Sequence, residues 1–177
     1  IGANVSVEIA SKGHITLAVW AYQTGVWRTE DGRAWKQVNA IAGSSYWGLA
    51  ANSSRFLMFA REYTGAVYLS DDGEIWDRVE DLPYPTGYAQ KCWGASEDYF
   101  VLGRNGTRYI TVIDADTGIN EAYLWPFTLG PRHIAWMPNI GKWLMVNQCN
   151  EVGLTSDFIN WTTYTSVFSI AALTFGD

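Results

Sequence analysis

Ser70-Asp71-Asp72-Gly73-Glu74-Ile75-Trp76 has two close relatives elsewhere in this chain of 177 residues. They are Thr29-Glu30-Asp31-Gly32-Arg33-Ala34-Trp35 and Thr155-Ser156-Asp157-Phe158-Ile159-Asn160-Trp161. Each reads Ser/Thr-x-Asp, then a short turn, then Trp, and each follows a run rich in β-forming residues. In two copies Gly directly follows Asp, which is a strong hairpin signal because Gly accepts a positive φ. The three peptides therefore predict three equivalent β-hairpins, which we call the Asp turns.

The spacing of the Asp turns predicts a repeat architecture. Their first residues are 41 and then 85 residues apart, and 85 is about two steps of 42. A period of roughly 40–50 residues, with several short strands in each unit, is typical of β-propeller blades. We therefore predict an all-β fold: one β-propeller domain of about four blades, each with four antiparallel strands. The predicted blades are 5–41, 42–84, 85–128 and 129–165, with an extra strand in 166–177.

The two ends of the chain leave two arrangements open. Val5–Ala10 fits the innermost strand of the first blade, and Ser169–Phe175 has the pattern of a further innermost strand. In the first arrangement, called Velcro closure, the C-terminal strand completes the first blade and Val5–Ala10 serves elsewhere. In the second, Ser169–Phe175 begins another blade of a larger ring. Either arrangement would protect strand edges that otherwise invite aggregation.

The Asp turns resemble the Asp-box, or BNR repeat, of sialidase-like and related β-propellers. The usual pattern, Ser/Thr-x-Asp-x-Gly-x-Thr-Trp, is one residue longer than the version in this chain. The resemblance implies that each turn joins the third and fourth strands of a blade and faces away from the ligand face. The residue types favour a structural role, because Asp can accept backbone N–H bonds while Trp packs between sheets. The residues predicted in this role are Thr29, Asp31, Trp35, Ser70, Asp72, Trp76, Thr155, Asp157 and Trp161.

Composition argues against several classes of function. The net charge is −6 and the 12 Lys and Arg residues are scattered, which disfavours nucleic-acid binding. No segment approaches 18 consecutive apolar residues, so we expect no membrane insertion. With His14 and His133 as the only histidines, a multi-histidine metal site is excluded, and we expect no metal and no cofactor. Cys92 and Cys149 lack metal or redox spacing and are interpreted as buried free thiols or as one long-range disulfide.

A ligand site is expected on the face opposite the Asp turns. The loops there combine aromatic residues with Arg, Asn, Gln and Glu, which suits stacking on a sugar ring and hydrogen bonding to its hydroxyls. Trp47 and Trp93 begin innermost strands near the expected channel mouth, where they could contact a ligand or simply fill the channel. The candidate ligand-binding residues are Trp47, Trp93, Tyr22, Arg61, Tyr63, Arg104, Arg108, Arg132 and His133.

The sequence favours a non-enzymatic binding module for a carbohydrate or a cell-surface receptor. We expect it in a virion, such as a phage tail, or in a cell-surface assembly, and thus an extracellular or virion-surface location. The alternative is a purely structural or adaptor protein of such an assembly, as a homo-oligomer or with other chains. Because the chain starts at Ile1 and not at Met, we expect a processed product, a cut-out domain or an incompletely registered sequence.

A sialidase-like glycoside hydrolase is a second alternative. The resemblance implies three arginines for the substrate carboxylate, a Tyr nucleophile activated by Glu, and an acid/base carboxyl group. Candidate pieces exist in this chain, but the Arg-Ile-Pro motif of sialidases is absent and those enzymes need about six blades. We therefore expect no catalytic residues. The candidate pieces are Arg61, Arg104, Arg108 and Arg132, Tyr63 beside Glu62, and Glu151.

Overall fold

The computed structural model describes residues 7–20, 25–38, 46–60, 66–79, 92–103 and 107–165, with the backbone alone for Tyr46, Trp47 and Ala60. These residues form sixteen short strands and one 3₁₀ helix, Pro138–Ile140, and no α-helix occurs in these ranges. The strands are β1 Val7–Lys12, β2 Ile15–Trp20, β3 Val26–Thr29, β4 Lys36–Val38, β5 Tyr46–Ala51, β6 Phe56–Ala60, β7 Val67–Ser70, β8 Asp77–Val79, β9 Trp93–Ala95, β10 Tyr99–Gly103, β11 Tyr109–Asp114, β12 Asn120–Leu124, β13 His133–Met137, β14 Lys142–Val146, β15 Glu151–Thr155 and β16 Thr162–Thr165.

Four sheets, each of four consecutive antiparallel strands, make up the described structure. Their strand orders are β1-β2-β3-β4, β5-β6-β7-β8, β9-β10-β11-β12 and β13-β14-β15-β16. Each sheet lies within one of the four predicted spans. The prediction of an all-β propeller with four four-stranded antiparallel blades is confirmed, and we number the blades 1 to 4 in chain order.

The N-terminal strand belongs to blade 1. Strand β1 pairs with β2 from Val7↔Trp20 to Lys12↔Ile15 and supplies the first strand of that sheet. Blade 1 therefore draws all four of its strands from one continuous segment, and the arrangement in which Val5–Ala10 serves elsewhere is wrong. The extra strand predicted in 166–177 lies outside the described residues.

The hydrophobic core lies between neighbouring blades, and in the described structure only blades 2 and 3 are covered by a blade on both sides. Side chains alternate along a strand, so Leu57 and Phe59 of β6 face blade 3 while Phe56 and Met58 face blade 1. We call the side of a blade that faces the next blade its forward face, and the other side its back face. Three clusters join forward to back: Leu17, Val19, Val26 and Val38 with Leu49, Phe56, Met58 and Tyr68; Leu57, Phe59, Val67, Leu69 and Val79 with Phe100, Leu102 and Ile113; and Val101, Ile110, Val112 and Trp125 with Ile134, Trp143, Met145 and Phe158.

Both cysteines are free. Cys92 is buried in the third cluster, whereas Cys149 is exposed in the turn between β14 and β15. The disulfide alternative is therefore excluded. The expectation of buried thiols holds for Cys92 only, because the turn that carries Cys149 projects into solvent.

Candidate functional site

The Asp turns close the blades at one end through their own side chains. The Asp72 carboxylate oxygen Oδ1 accepts the N–H groups of Glu74 at 2.8 Å and Ile75 at 2.9 Å. The Ser70 hydroxyl donates to the same oxygen at 3.2 Å and accepts the Gly73 N–H at 2.8 Å. This turn joins β7 to β8, the third and fourth strands of blade 2. The carboxylate and hydroxyl are thus engaged in holding the turn.

The other turns repeat this geometry. Asp31 Oδ1 accepts the N–H groups of Arg33 and Ala34 at 2.8 and 2.9 Å, and the Thr29 hydroxyl fills the place of Ser70. Asp157 Oδ1 accepts those of Ile159 and Asn160 at 3.0 and 2.8 Å, with Thr155 as its partner. In blade 3, which lacks the motif, Asp114 Oδ1 accepts from Asp116 and Thr117 at 3.1 and 2.8 Å. All four blades therefore close this end with an Asp-centred turn.

These hydrogen bonds lower the pKa of every turn carboxyl. The backbone N–H of Ala34 is the main cause for Asp31, that of Ile75 for Asp72 and that of Thr117 for Asp114. For Asp157, the side-chain amide of Asn160 is the main cause that lowers the pKa. Each donor favours the charged form, so these carboxyls are ionised at neutral pH.

The motif tryptophans differ in their surroundings. Trp76 packs against the first cluster, and Trp161 lies edge-on to Trp125 of blade 3 with ring centroids 5.1 Å apart. Trp35 is 39% exposed. Their shared motif predicts that all three pack between sheets. Trp35 differs because blade 1 has no blade behind it among the described residues.

At the opposite end of the strands, hydrogen bonds of Trp125 and Leu129 tie three loops of blades 3 and 4 together. The Leu129 carbonyl accepts the indole N–H of Trp125 at 2.8 Å and the side-chain amide of Asn147 at 3.2 Å. The backbone N–H of Trp125 in turn donates to the Arg108 carbonyl at 2.6 Å. The β10–β11 loop, the β12–β13 connection and the β14–β15 turn are thus fixed relative to one another. We call this arrangement the loop platform.

Asn147 organises the platform and was not singled out by the sequence analysis. Its side chain is 1% exposed. Its Oδ1 accepts the N–H groups of Cys149 at 2.9 Å and Glu151 at 3.1 Å, while its Nδ2 donates to Glu151 Oε2 at 2.6 Å. An Asn that follows a strand and opens a four-residue loop is the signal of an Asx-type turn and could have identified it.

The structure places four of the nine candidate ligand residues with their side chains. Arg108 and Arg132 are exposed and lie on loop-platform segments, and His133 is half-buried at the start of β13. Arg132 is anchored by its backbone N–H, which donates to the Val146 carbonyl at 2.7 Å. Trp93 lies between blades 2 and 3. Tyr22, Arg61, Tyr63 and Arg104 are outside the described residues, and Trp47 lies in β5 with its backbone alone described.

Trp93 packs between blades 2 and 3. Its indole N–H donates to the Leu49 carbonyl at 3.1 Å, and its ring centroid is 5.3 Å from that of Phe59. A Cβ on Gly48 would come within 2.8 Å of three atoms of the ring. These contacts match the interpretation of Trp93 as a packing residue, although a ligand role for its partly exposed ring stays a prediction.

A cleft of about 610 Å³ lies at the Asp-turn end, between blades 2 and 3. Its wall carries charges of both signs, including Arg55, Asp77, Arg78 and Asp116. The Arg55 guanidinium is paired with Asp71 at 2.8 Å. Because the charges are mixed, the cleft offers no field suited to an anionic or a cationic ligand.

Two kinds of feature do not occur in the described ranges. In those ranges no three His, Cys, Asp or Glu side chains come together as metal ligands. No helix there has the length and hydropathy needed to cross a membrane.

The fold has many relatives among solved structures, but sequence comparisons give none. No family model and no curated protein matches the chain. A structure of YCF48 bound to D1 peptide superposes with a TM-score of 0.66 at 14% identity, covering 93% of this chain and 56% of that one. A streptogramin B lyase superposes at 0.72 and 12% identity, covering 94% and 57%. Virginiamycin B lyase from Staphylococcus aureus with quinupristin superposes at 0.70 and 13% identity, covering 93% and 57%.

These relatives share the architecture and little sequence. At identities of 12 to 14% they show the fold alone. The chain spans a little over half the length of each of the three. It therefore has the fold of a β-propeller and contributes four blades of that architecture.

Proposed function

We propose that this chain is a non-catalytic recognition module that binds its ligand on the face opposite the Asp turns. The observation that carries the proposal is the loop platform, where the buried Asn147 and the Leu129 carbonyl fix three loops that present Arg108, Arg132 and His133. A rigid scaffold with polar side chains on its loops is the usual plan of a binding site.

The carboxyl groups support a non-catalytic role. A glycoside hydrolase needs an acid whose pKa is raised toward neutrality. Among the described residues, every carboxyl whose pKa departs from its ordinary value is shifted down: Glu30 by its bond to Arg28, and the four turn aspartates by backbone and side-chain donors. The carboxylates of the Asp turns thus accept hydrogen bonds from backbone N–H groups and do not serve a substrate.

A carbohydrate or a glycosylated receptor is the ligand class that we propose. Arg108 and Arg132 offer fixed forks of N–H donors, Glu151 offers a carboxylate, and His133 offers either a donor or an acceptor. Such a mixture suits the hydroxyl and carboxylate groups of a sugar. The proposal places this recognition at a virion or cell surface.

A glycan array with the wild-type chain, followed by titration of the best glycan, tests the proposal. We expect Arg132→Ala and Arg108→Ala each to weaken binding by tenfold or more, because a hydrogen bond to a charged donor contributes about 1.5–3 kcal/mol. Lys142→Ala is the matched control, since Lys142 lies in blade 4 at the Asp-turn end. Equal losses for Lys142→Ala and Arg132→Ala, or no bound glycan, would contradict the proposal.

The alternative is a structural or adaptor role in the same kind of assembly. The exposed Trp35 and Tyr164, at 39% and 55%, favour it because they lie on blade faces that are packed elsewhere in the chain. A sialidase-like hydrolase ranks last. Release of a fluorophore from a sialoside by the wild-type chain, and its loss in Arg132→Ala, would raise that alternative above the others.

A further inference from the structure

Blades 1, 2 and 3 each meet the Asp-centred turn of the next blade in a corner of the same plan. The corner between blades 1 and 2 is filled by charged side chains. Lys36 Nζ lies 2.6 Å from Glu74 Oε1. Arg28 Nε donates to the Asp72 carbonyl at 3.0 Å, and Arg28 is 7% exposed. Two cations of blade 1 therefore close this corner against the turn of blade 2.

The corner between blades 3 and 4 is filled by aromatic rings. Phe158 of the blade 4 turn lies 5.5 Å from Tyr123 of blade 3, centroid to centroid. The Tyr123 hydroxyl donates to Glu121 Oε2 at 2.5 Å. This corner is therefore also closed by the chain's own side chains, with apolar contact in place of the ion pair.

The corner between blades 2 and 3 lacks both kinds of filling. Leu69 pairs with Asp77 in blade 2. Arg28 pairs with Lys36 at the same place in blade 1. The register thus puts a leucine in the place of Arg28 and a carboxylate in the place of Lys36. Because a leucine is too short to reach the next turn as Arg28 does, the corner stays open as the cleft of about 610 Å³.

The turn of blade 3 adds a second carboxylate to this cleft. Asp116 donates its backbone N–H to Asp114 Oδ1 at 3.1 Å. Glu74 donates in the same way to Asp72 Oδ1 at 2.8 Å, so Asp116 has the place of Glu74. Asp116 and Asp77 both line the cleft. Where the first corner holds a Lys–Glu pair, this one holds two carboxylates, which repel each other.

Both carboxylates are available to a ligand. Asp77 and Asp116 are exposed, and within the described residues neither side chain has a hydrogen bond or an ion pair. Arg78 also belongs to the wall, but its cross-strand partner is Tyr68, which packs in the cluster between blades 1 and 2. Arg78 therefore lies on the back face of blade 2, whereas Asp77 lies on its forward face.

The rest of the wall supplies a cation and an apolar surface. Arg55 meets Asp71 through Nε at 2.8 Å. A guanidinium has five N–H donors, so the Nη donors of Arg55 remain for a ligand. Leu69 and Val79 are the buried apolar residues of the wall, and Ile119 is an exposed one. The cleft thus combines a guanidinium, two carboxylates and apolar side chains.

We propose that the cleft binds a small zwitterion of the amino-acid class, with an ammonium group, a carboxylate and an apolar side chain. The ammonium group lies between Asp77 and Asp116 and restores the cation that Lys36 supplies in the first corner. The carboxylate accepts N–H groups of Arg55, and the apolar side chain packs on Leu69. A wall with charges of both signs suits such a ligand, and the cleft volume is within the range of small-molecule sites, roughly 300–1,000 Å³. The site is at the Asp-turn end and stands independently of the ligand proposed at the loop platform.

Titration with L-leucine, followed by ¹H–¹⁵N NMR of the 177-residue chain, is the first test. We expect saturable shifts of the Gly118 and Ile119 amide signals at millimolar ligand. Leucinamide lacks the carboxylate and N-acetylleucine lacks the ammonium group, so each should bind roughly two- to fivefold more weakly, as for the loss of one exposed ion pair. No saturable shift with L-leucine, or equal affinities for the three compounds, would overturn the proposal.

Two substitutions assign the charges of the ligand to the two parts of the cleft. Asp77→Asn should weaken the binding of L-leucine without weakening that of N-acetylleucine, which has no ammonium group to lose. Arg55→Gln should weaken the binding of L-leucine without weakening that of leucinamide, which has no carboxylate. Asp98→Asn is the matched control, since Asp98 is exposed at the same end of blade 3 and does not line the cleft. A loss as large in this control as in Asp77→Asn would refute the assigned site.

A third substitution tests the correspondence between the corners through stability. Asp77→Lys should supply the missing cation from the chain itself and pair with Asp116. We expect a higher midpoint of urea unfolding, and loss of L-leucine binding because the corner is then filled. Asp98→Lys makes the same change of charge outside the cleft and should keep L-leucine binding. A lower midpoint for Asp77→Lys than for Asp98→Lys, or retained binding in Asp77→Lys, would overturn the proposal.

Discussion

Phe158 occupies a position where two energetic effects oppose each other. In the turns of blades 1 and 2, Gly32 and Gly73 follow the motif Asp with φ values of 70° and 76°. In blade 4 the residue after Asp157 is Phe158, which adopts a φ of 61°. A left-handed residue with a side chain costs about 1–2 kcal/mol. The reason to keep Phe there must therefore be a larger stabilisation.

Packing supplies that stabilisation. Phe158 is 6% exposed and belongs to the cluster between blades 3 and 4. Its ring lies 5.5 Å from Tyr123, 5.8 Å from Trp143 and 6.2 Å from Tyr99, centroid to centroid. Truncation of a buried Phe to Ala costs roughly 3–5 kcal/mol. The packing therefore outweighs the backbone strain by roughly 1–4 kcal/mol.

Two variants separate these effects. Phe158→Ala removes the ring and keeps the strain, so it should lower the free energy of unfolding by about 3–5 kcal/mol. Phe158→Gly removes the ring and relieves the strain, which recovers about 1 kcal/mol after the greater freedom of Gly in the unfolded chain is included. We therefore expect the order of stability wild type, then Gly, then Ala.

Urea unfolding followed by tryptophan fluorescence measures this order. If Phe158→Gly were as stable as the wild type, packing would not be the reason for Phe at this position. If the Ala and Gly variants had equal stabilities, the left-handed backbone would not be a constraint. Either result would refute the reasoning.

Three further predictions concern the Asp turns and the thiols. Gly73→Ala should destabilise more than Gly141→Ala in urea unfolding: both glycines have positive φ, at 76° and 60°, but only at Gly73 would a Cβ meet a neighbour, 2.7 Å from Leu17. Equal effects would show that the contact with Leu17 relaxes freely. Asp72→Ala should lower stability at pH 7 by about 1–2 kcal/mol, as for a lost helix cap, because two N–H groups lose their acceptor. Because folding lowers the pKa of Asp72, its contribution to stability is present above the ordinary Asp pKa and is lost as the pH falls through the folded pKa. The difference in unfolding free energy between variant and wild type should therefore narrow below pH 4. A constant difference from pH 7 to pH 2 would contradict this prediction. Ellman's reagent should modify one thiol in the native chain, the exposed Cys149, and two after unfolding, because burial raises the pKa of Cys92; two reactive native thiols would refute the burial.

The blade plan was predictable because it depends on local chemistry repeated at a fixed distance. The Asp-Gly pairs at Asp31 and Asp72 mark a hairpin wherever they occur, and the 41-residue step places four strands in each unit. The assignment of β1 could not be decided in the same way. The pattern of Val5–Ala10 fits the innermost strand of blade 1 but does not exclude a place elsewhere, and only the register of Val7–Lys12 with β2 places the strand in blade 1.

The loops at the end opposite the Asp turns were predictable from the sequence, whereas a ligand role for their residues stays a prediction. Loop polarity pointed to Arg108 and Arg132, which do lie on loop-platform segments. The residue that ties the platform together, Asn147, is buried, and its role depends on a carbonyl 18 residues away at Leu129. Such a contact between distant backbone and side-chain groups has no local sequence pattern, whereas the Asx turn at Asn147 does.

The three motif tryptophans show what the repeat does and does not encode. Their sequence context is the same, so sequence alone assigns them one environment. Their exposure differs because burial depends on the blade behind, and blade 1 has none in the described structure. Each blade therefore has two faces that are complementary to the faces of the blades beside it. The outer faces of blades 1 and 4 keep this pattern without a neighbouring blade among the described residues. An exposed Trp35 is in this view a blade contact without its partner among the described residues.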